Sequence, residues 1–179
     1  MKILVKIQLL LLGIWLGAAI FFGAAMAPTA FRVLPNSALA GSLVSHTLTI
    51  VNFSGIAIGV LLLLLSFVPR AGSARAWAWF ERFLLFVIAA ACGFGQAVIG
   101  LYLEQLRKLA DKPIDQLPPN SSIKLSFDQW HQYSVWILAT AMIAAFIAFF
   151  VIARSSDRKK VSSNSDDMPK FDLPDELKM

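Results

Sequence analysis

Four long apolar stretches without Asp, Glu, Lys or Arg dominate the chain: residues 7–27, 50–68, 83–103 and 135–152. Each is close to the roughly 20 residues a helix needs to cross a bilayer. In lipid an unpaired backbone polar group is so costly that a spanning segment must be a helix or a strand of a closed barrel. Barrel strands are shorter and alternate apolar with polar residues, and these stretches do not. The pattern predicts an all-α protein, an integral membrane four-helix bundle over residues 1–153.

The segments between the stretches differ in character. Residues 28–46 mix Ala30, Phe31, Val33 and Leu34 around Arg32, which predicts an interfacial segment. Asn36 or Ser37 can cap the second helix, which then begins before its charge-free part. After the third stretch, Leu106 and Leu109 continue a helical overhang that Pro113 and Pro118-Pro119 end. Ser126 and Gln129 have capping-box spacing and predict the start of the fourth helix. Residues 154–179 are rich in Ser, Asp, Lys and Pro and predict a disordered cytoplasmic tail.

Composition agrees with the pattern. Hydrophobic residues make up 58% and charged residues 15%, against about 25% charged in a soluble domain. The net charge of +5 therefore bears on topology, and nucleic acid is not an expected partner. Lys2, Lys6, Arg70, Arg75, Arg82, Arg154, Arg158, Lys159 and Lys160 fall on one side of a four-span chain. Arg32, Arg107, Lys108, Lys112 and Lys124 fall on the other. The bias predicts a multi-pass membrane protein with both termini cytoplasmic. Trp77, Trp79 and Phe80 would mark the inner interface, Trp130 and Trp136 the outer. Lys2, Lys6 and Ala25-Met26-Ala27 also resemble a cleavable leader, but Pro28 would follow the cut, so the first stretch is read as a retained helix.

Chemistry is sparse. Cys92 is the single cysteine, so neither an intrachain disulfide nor a cysteine zinc cluster can form. No stretch carries a charge of the kind that proton relays and voltage sensors place in the membrane. The candidates for polar chemistry within the stretches are Gln96, Asn52 and Ser54, and Gln96 is read as an interhelical hydrogen-bonding group. No hydrolase, zinc-protease or nucleotide-binding motif is present, and no enzymatic activity is expected. Gly13 with Gly17, and Gly55 with Gly59, form two GxxxG pairs. These serve either close packing inside one bundle or a homo-oligomer interface.

His46 and His131 precede the second and fourth stretches and so lie on the same side of the membrane. Met26 ends the first stretch on that side. Imidazole with thioether suits copper, and two imidazoles can hold a haem iron. His131, His46 and Met26 are thus the candidate metal ligands, with Asp128 placed to orient His131 and Ser134 on the same helix face. The competing reading is an interfacial belt, since His131 lies between Trp130 and Tyr133. On that reading no cofactor is expected.

Several short motifs occur in order: Trp15-Leu16-Gly17, the run Ala27-Pro28-Thr29-Ala30-Phe31-Arg32-Val33-Leu34, Ala40-Gly41, and Phe127, His131 and Ser134 at helical spacing. That order resembles the bacterial domain of unknown function 4149, which is similar to the eukaryotic transmembrane protein 205. The resemblance spans residues 7–152. It implies a four-helix integral membrane protein without an established activity. The link of its eukaryotic relatives to resistance against metal-based drugs keeps metal handling among the implied roles. The matching positions are Pro28, Phe31, Arg32, Gly41, His131 and Ser134; His46 is not among them. The expectation is a non-enzymatic multi-pass membrane protein in contact with the lipid bilayer, a small transport or envelope component. The alternative is a metal- or haem-binding protein using the two histidines.

Overall fold

The computed structural model describes residues 2–67, 75–110, 114–118 and 120–166. Among them every regular element is helical. The first rod joins α1 (Lys2–Phe21), a π-helical turn (Phe22–Met26) and α2 (Ala27–Val33). The second is α3 (Ser37–Ser66). The third joins α4 (Arg75–Phe94), a second π-helical segment (Gly95–Gly100) and α5 (Leu101–Leu109). A short 3-10 turn (Ile114–Gln116) leads to α6 (Ser122–Asp166). By length and composition four helices can cross a membrane: Ile3–Val33, Ser37–Ser66, Arg75–Leu109 and Ser122–Arg154. The protein is a multi-pass, all-α membrane bundle.

Each rod is longer than its charge-free stretch. Hydropathy marks only the part that lies in hydrocarbon, whereas the hydrogen-bonded helix runs on into the interface. At 1.5 Å per residue, α3 with its 30 residues is about 45 Å long, against about 30 Å of hydrocarbon. The overhangs carry the polar chemistry. They gather at two ends: a loop end with α2, α5 and the start of α6, and a terminal end with Lys6, Ser66, Arg75 and Arg154.

Local sequence explains the boundaries. Residues 28–46, expected as an interfacial segment, are helical on both sides of a short break. Pro28 lacks the N–H that a regular helix would bond, and it stands at the start of α2, directly after the wider π turn. Pro35 forces Leu34 into an extended conformation (φ −77°, ψ 135°) and ends α2. Asn36 then caps α3, its side-chain oxygen accepting from Ala38 N at 2.8 Å. The fourth helix starts earlier than the Ser126 capping box predicts. Ser121 Oγ accepts from Lys124 N at 3.3 Å, while Gln129 instead donates to Tyr133 Oη at 3.2 Å. The segment expected to be disordered from Arg154 continues as backbone helix to Asp166, with no glycine or proline before Pro169 to stop it. Val68, Arg70, Pro113, Pro119 and residues 167–179 lie outside the described residues.

The rods close a ring: α3 packs on α4, α4 on α6, α6 on α1, and α1 on α3. Lipid tails are as apolar as the helix surfaces, so association depends on close packing and interhelical hydrogen bonds. Gly59 lets α3 approach α4 until a Cβ would lie 3.1 Å from Ala89. Gly55 faces Cys92 and the Trp15 ring. Ala141, Ala144, Ala145 and Ala148 give α6 a flat buried face. Trp15 Nε1 donates to Val51 O at 3.0 Å, and Trp77 Nε1 to Val151 O at 3.3 Å, each tying two rods together. The GxxxG pair of α3 therefore serves internal packing. On α1, Gly13 faces Phe149 of α6, and Gly17 has open space around it. Phe21, Phe53, Phe83, Ile143, Phe146 and Phe150 point outward, as a lipid-facing surface requires.

Candidate functional site

The described polar side chains with contacts between rods fall into three groups. The first lies inside the bundle. Asn52 is buried on α3 and its Nδ2 donates to Gln96 Oε1 at 3.5 Å, a long and weak bond. Gln96 sits in the π-helical segment flanked by Gly95 and Gly100. A Cβ on Gly95 would lie 3.7 Å from both Asn52 Nδ2 and Ile137 Cγ2, an ordinary contact distance at the point where three rods meet. Gln96 is an interhelical hydrogen-bonding group, as its sequence context predicts.

The second group is at the terminal end. Glu81 of α4 is 2% exposed, a buried carboxyl side chain just outside the charge-free stretch. Next to it, Arg82 donates from Nη2 to Ser66 O at 3.2 Å and lies 4.5 Å over the Phe67 ring. These contacts tie the end of α3 to the beginning of α4.

The third and richest group is at the loop end, where α3, α5 and α6 meet around Arg107. Leu103, Leu106 and Arg107 share one face of α5, and both leucines are buried, so the guanidinium is drawn inward with them. Its Nη1 donates to Ser45 Oγ of α3 at 2.6 Å. A Cβ on Gly41, one turn earlier, would lie 3.5 Å from Nη2, so the guanidinium packs close to the buried backbone of α3 there. From α6, the Phe127 ring lies 5.2 Å from Arg107 Cζ. Phe127 in turn stacks parallel with His131, with centroids 6.2 Å apart. The charges of Arg107 and Asp128 both act on the His131 ring. Glu104 is bound by Lys108 at 2.7 Å and also feels His46 and Arg107. Trp130 packs against Tyr102 at 5.0 Å and against Tyr133 at 5.8 Å.

This geometry sorts the residues singled out in the sequence. Gly41 lies against Arg107, His131 stacks on the Phe127 ring that faces Arg107, the charge of Asp128 acts on His131, and that of His46 acts on Glu104. Ser134 does not join the ring chemistry, because its hydroxyl donates to the His131 carbonyl at 2.8 Å. Pro28, Phe31 and Arg32 are exposed on α2. Met26 packs against the hydrophobic core from the π turn. Among the described residues no three His, Cys, Asp or Glu side chains are grouped to hold a metal ion. Sequence reasoning missed Arg107 as an organising residue. The available signal was its place on the Leu103–Leu106 face of an overhang.

Among known protein families, the model described as a domain of unknown function (DUF4149) matches residues 10–112. That stretch includes Gly41, Ser45, Glu104 and Arg107 but ends before Phe127 and His131, which belong to the sequence motifs. No curated protein matches, so similarity to transmembrane protein 205 is not shown. No solved structure matches either. The match takes in more than half of the chain and its first three rods, and the chain belongs to the DUF4149 family.

Proposed function

We propose that the protein is a non-enzymatic component of the bacterial cytoplasmic membrane, with both termini cytoplasmic and a role in transport or envelope organisation. The observation that carries this reading is the use made of its polar side chains. The Ser134 and Ser54 hydroxyls donate to backbone carbonyls, Ser45 accepts from Arg107, and Asn52 pairs with Gln96. None of these hydroxyls is paired with a base in the way a nucleophile requires. Lys2, Lys6, Arg75, Arg82 and Arg154 at the terminal end favour the cytoplasmic side for it. Purified protein is therefore expected to show no turnover. Reproducible turnover abolished by one point substitution overturns the reading.

Orientation has its own test. A cysteine at Ser122, exposed at the loop end, is expected to react with an impermeant thiol reagent in intact cells. One at Arg75, exposed at the other end, is expected to react only after lysis. Native Cys92 is 1% exposed and stays silent. The opposite pattern inverts the topology.

The metal or haem alternative, with His131, His46 and Met26 as ligands, is countered by two features. The positive charge of Arg107 acts on His131, and Met26 packs against the core. Purified protein is expected to give a protein-only absorption spectrum and negligible copper and iron. A stoichiometric metal or chromophore that His131→Ala removes would reverse this reading.

A further inference from the structure

We infer that Arg107, framed by Ser45, Gly41 and Phe127, is a binding site for one phosphate group, carried by an anionic phospholipid headgroup or by a soluble phosphate compound. The inference goes beyond the membrane-component reading and does not depend on it.

The first feature of Arg107 is its fixation. A free arginine side chain carries about 2 kcal/mol of rotamer entropy, and ordering it opposes binding. Here α3 and α6 have already ordered it, through Ser45 Oγ at 2.6 Å and the Phe127 face at 5.2 Å. A guanidinium held in place presents its remaining N–H donors as a fork that matches two oxygens of a phosphate.

The second is charge. Arg107 is half-buried, and among the described residues its hydrogen-bond acceptor is a neutral hydroxyl and its other partner a ring. Glu104 is the carboxylate whose charge acts on it, and Lys108 already binds Glu104 at 2.7 Å. Among the described residues no carboxylate lies within ion-pair distance of Arg107. A partly desolvated cation without a direct counter-ion attracts an external anion.

The third is depth. Tyr102 and Trp130 pack together at this end and mark the interface. Arg107 follows Tyr102 by five residues, which puts it about 7.5 Å further out along the helix, toward the level of lipid phosphates.

The test uses the full chain purified in mild detergent, with retained phospholipid counted by native mass spectrometry. Wild type is expected to retain one phosphatidylglycerol per chain and to prefer it over phosphatidylcholine by about tenfold or more, a difference of about 1.4 kcal/mol. Arg107→Gln is expected to abolish that preference, while Lys108→Gln and Lys124→Gln keep it. Retention displaced by millimolar inorganic phosphate, but not by chloride at equal ionic strength, assigns the site to soluble phosphate compounds. Retention that inorganic phosphate leaves intact assigns it to the lipid headgroup. If inorganic phosphate raises the melting midpoint of wild type but not of Arg107→Gln, with no lipid retained, the soluble class is again supported. Wild type that neither prefers the anionic lipid nor responds to phosphate overturns the inference. So does an equal loss in the two lysine variants, which would mean diffuse surface charge. If Arg107→Gln does not fold, Arg107→Lys keeps the charge without the fork, and the wild-type comparisons decide the matter alone.

Discussion

Gly55→Leu is expected to destabilise the bundle by about 3 kcal/mol or more, at or beyond the upper end of core overpacking. A Cβ at this position would lie 2.6 Å from Cys92 Sγ, 2.8 Å from Trp15 Nε1 and 2.9 Å from Trp15 Cε2. The thiol can rotate, but the indole has little freedom. Trp15 is 2% exposed and its Nε1 is bonded to Val51 O, so moving the ring breaks a buried hydrogen bond. Even Gly55→Ala should cost about 1–3 kcal/mol. Adding Cys92→Ala should recover only part of this, because the Trp15 contact remains. Gly17→Leu is the control. A Cβ on that exposed glycine would meet no atom within 4 Å, and a surface change of this kind stays within about 0.5 kcal/mol. Melting midpoints in one mild detergent test the pair. Equal midpoints for the two leucine variants would mean that α3 and α4 do not pack through Gly55.

The same contrast shows what was legible in the sequence. Absence of charge over four long stretches marks the rods, because lipid tolerates neither free backbone nor unpaired charge. It cannot mark where the helices stop, because helix and hydrocarbon end at different places. Only local devices such as Pro35 and Asn36 set those ends. The two GxxxG pairs look alike in sequence, yet Gly55 and Gly59 are buried between rods while Gly17 is open. Which face of a helix turns inward depends on partners far away in the chain. Arg107 is hidden for the same reason. In sequence it is one more basic residue near a membrane end, a marker of topology. Its contacts with Ser45 and Phe127 arise only when α3, α5 and α6 are brought together. Glu81 escapes notice because it stands just outside a charge-free stretch, though α4 buries it.

Trp15 provides the second large effect. Trp15→Ala is expected to cost about 3–5 kcal/mol, the range for emptying a large buried aromatic site. Trp15→Phe keeps one six-membered ring but removes the five-membered half of the indole, with the Nε1–H that reaches Val51 O. Interhelical hydrogen bonds in membranes average about 0.6 kcal/mol and the smaller ring leaves part of the site empty, so the phenylalanine variant should fall between wild type and the alanine variant. Val51 O still accepts from Ser54 Oγ at 2.9 Å, so that carbonyl is not left without a partner. The two sites should also couple. Trp15→Phe removes the nitrogen that a Gly55 methyl would meet at 2.8 Å, so it should relieve part of the Gly55→Ala penalty. The double variant is then expected to be less destabilised than the sum of the two singles, by about 0.5 kcal/mol or more, as touching residues show. Strict additivity would mean that Trp15 and Gly55 do not touch, and α1 would then have to seat against α3 by a different face.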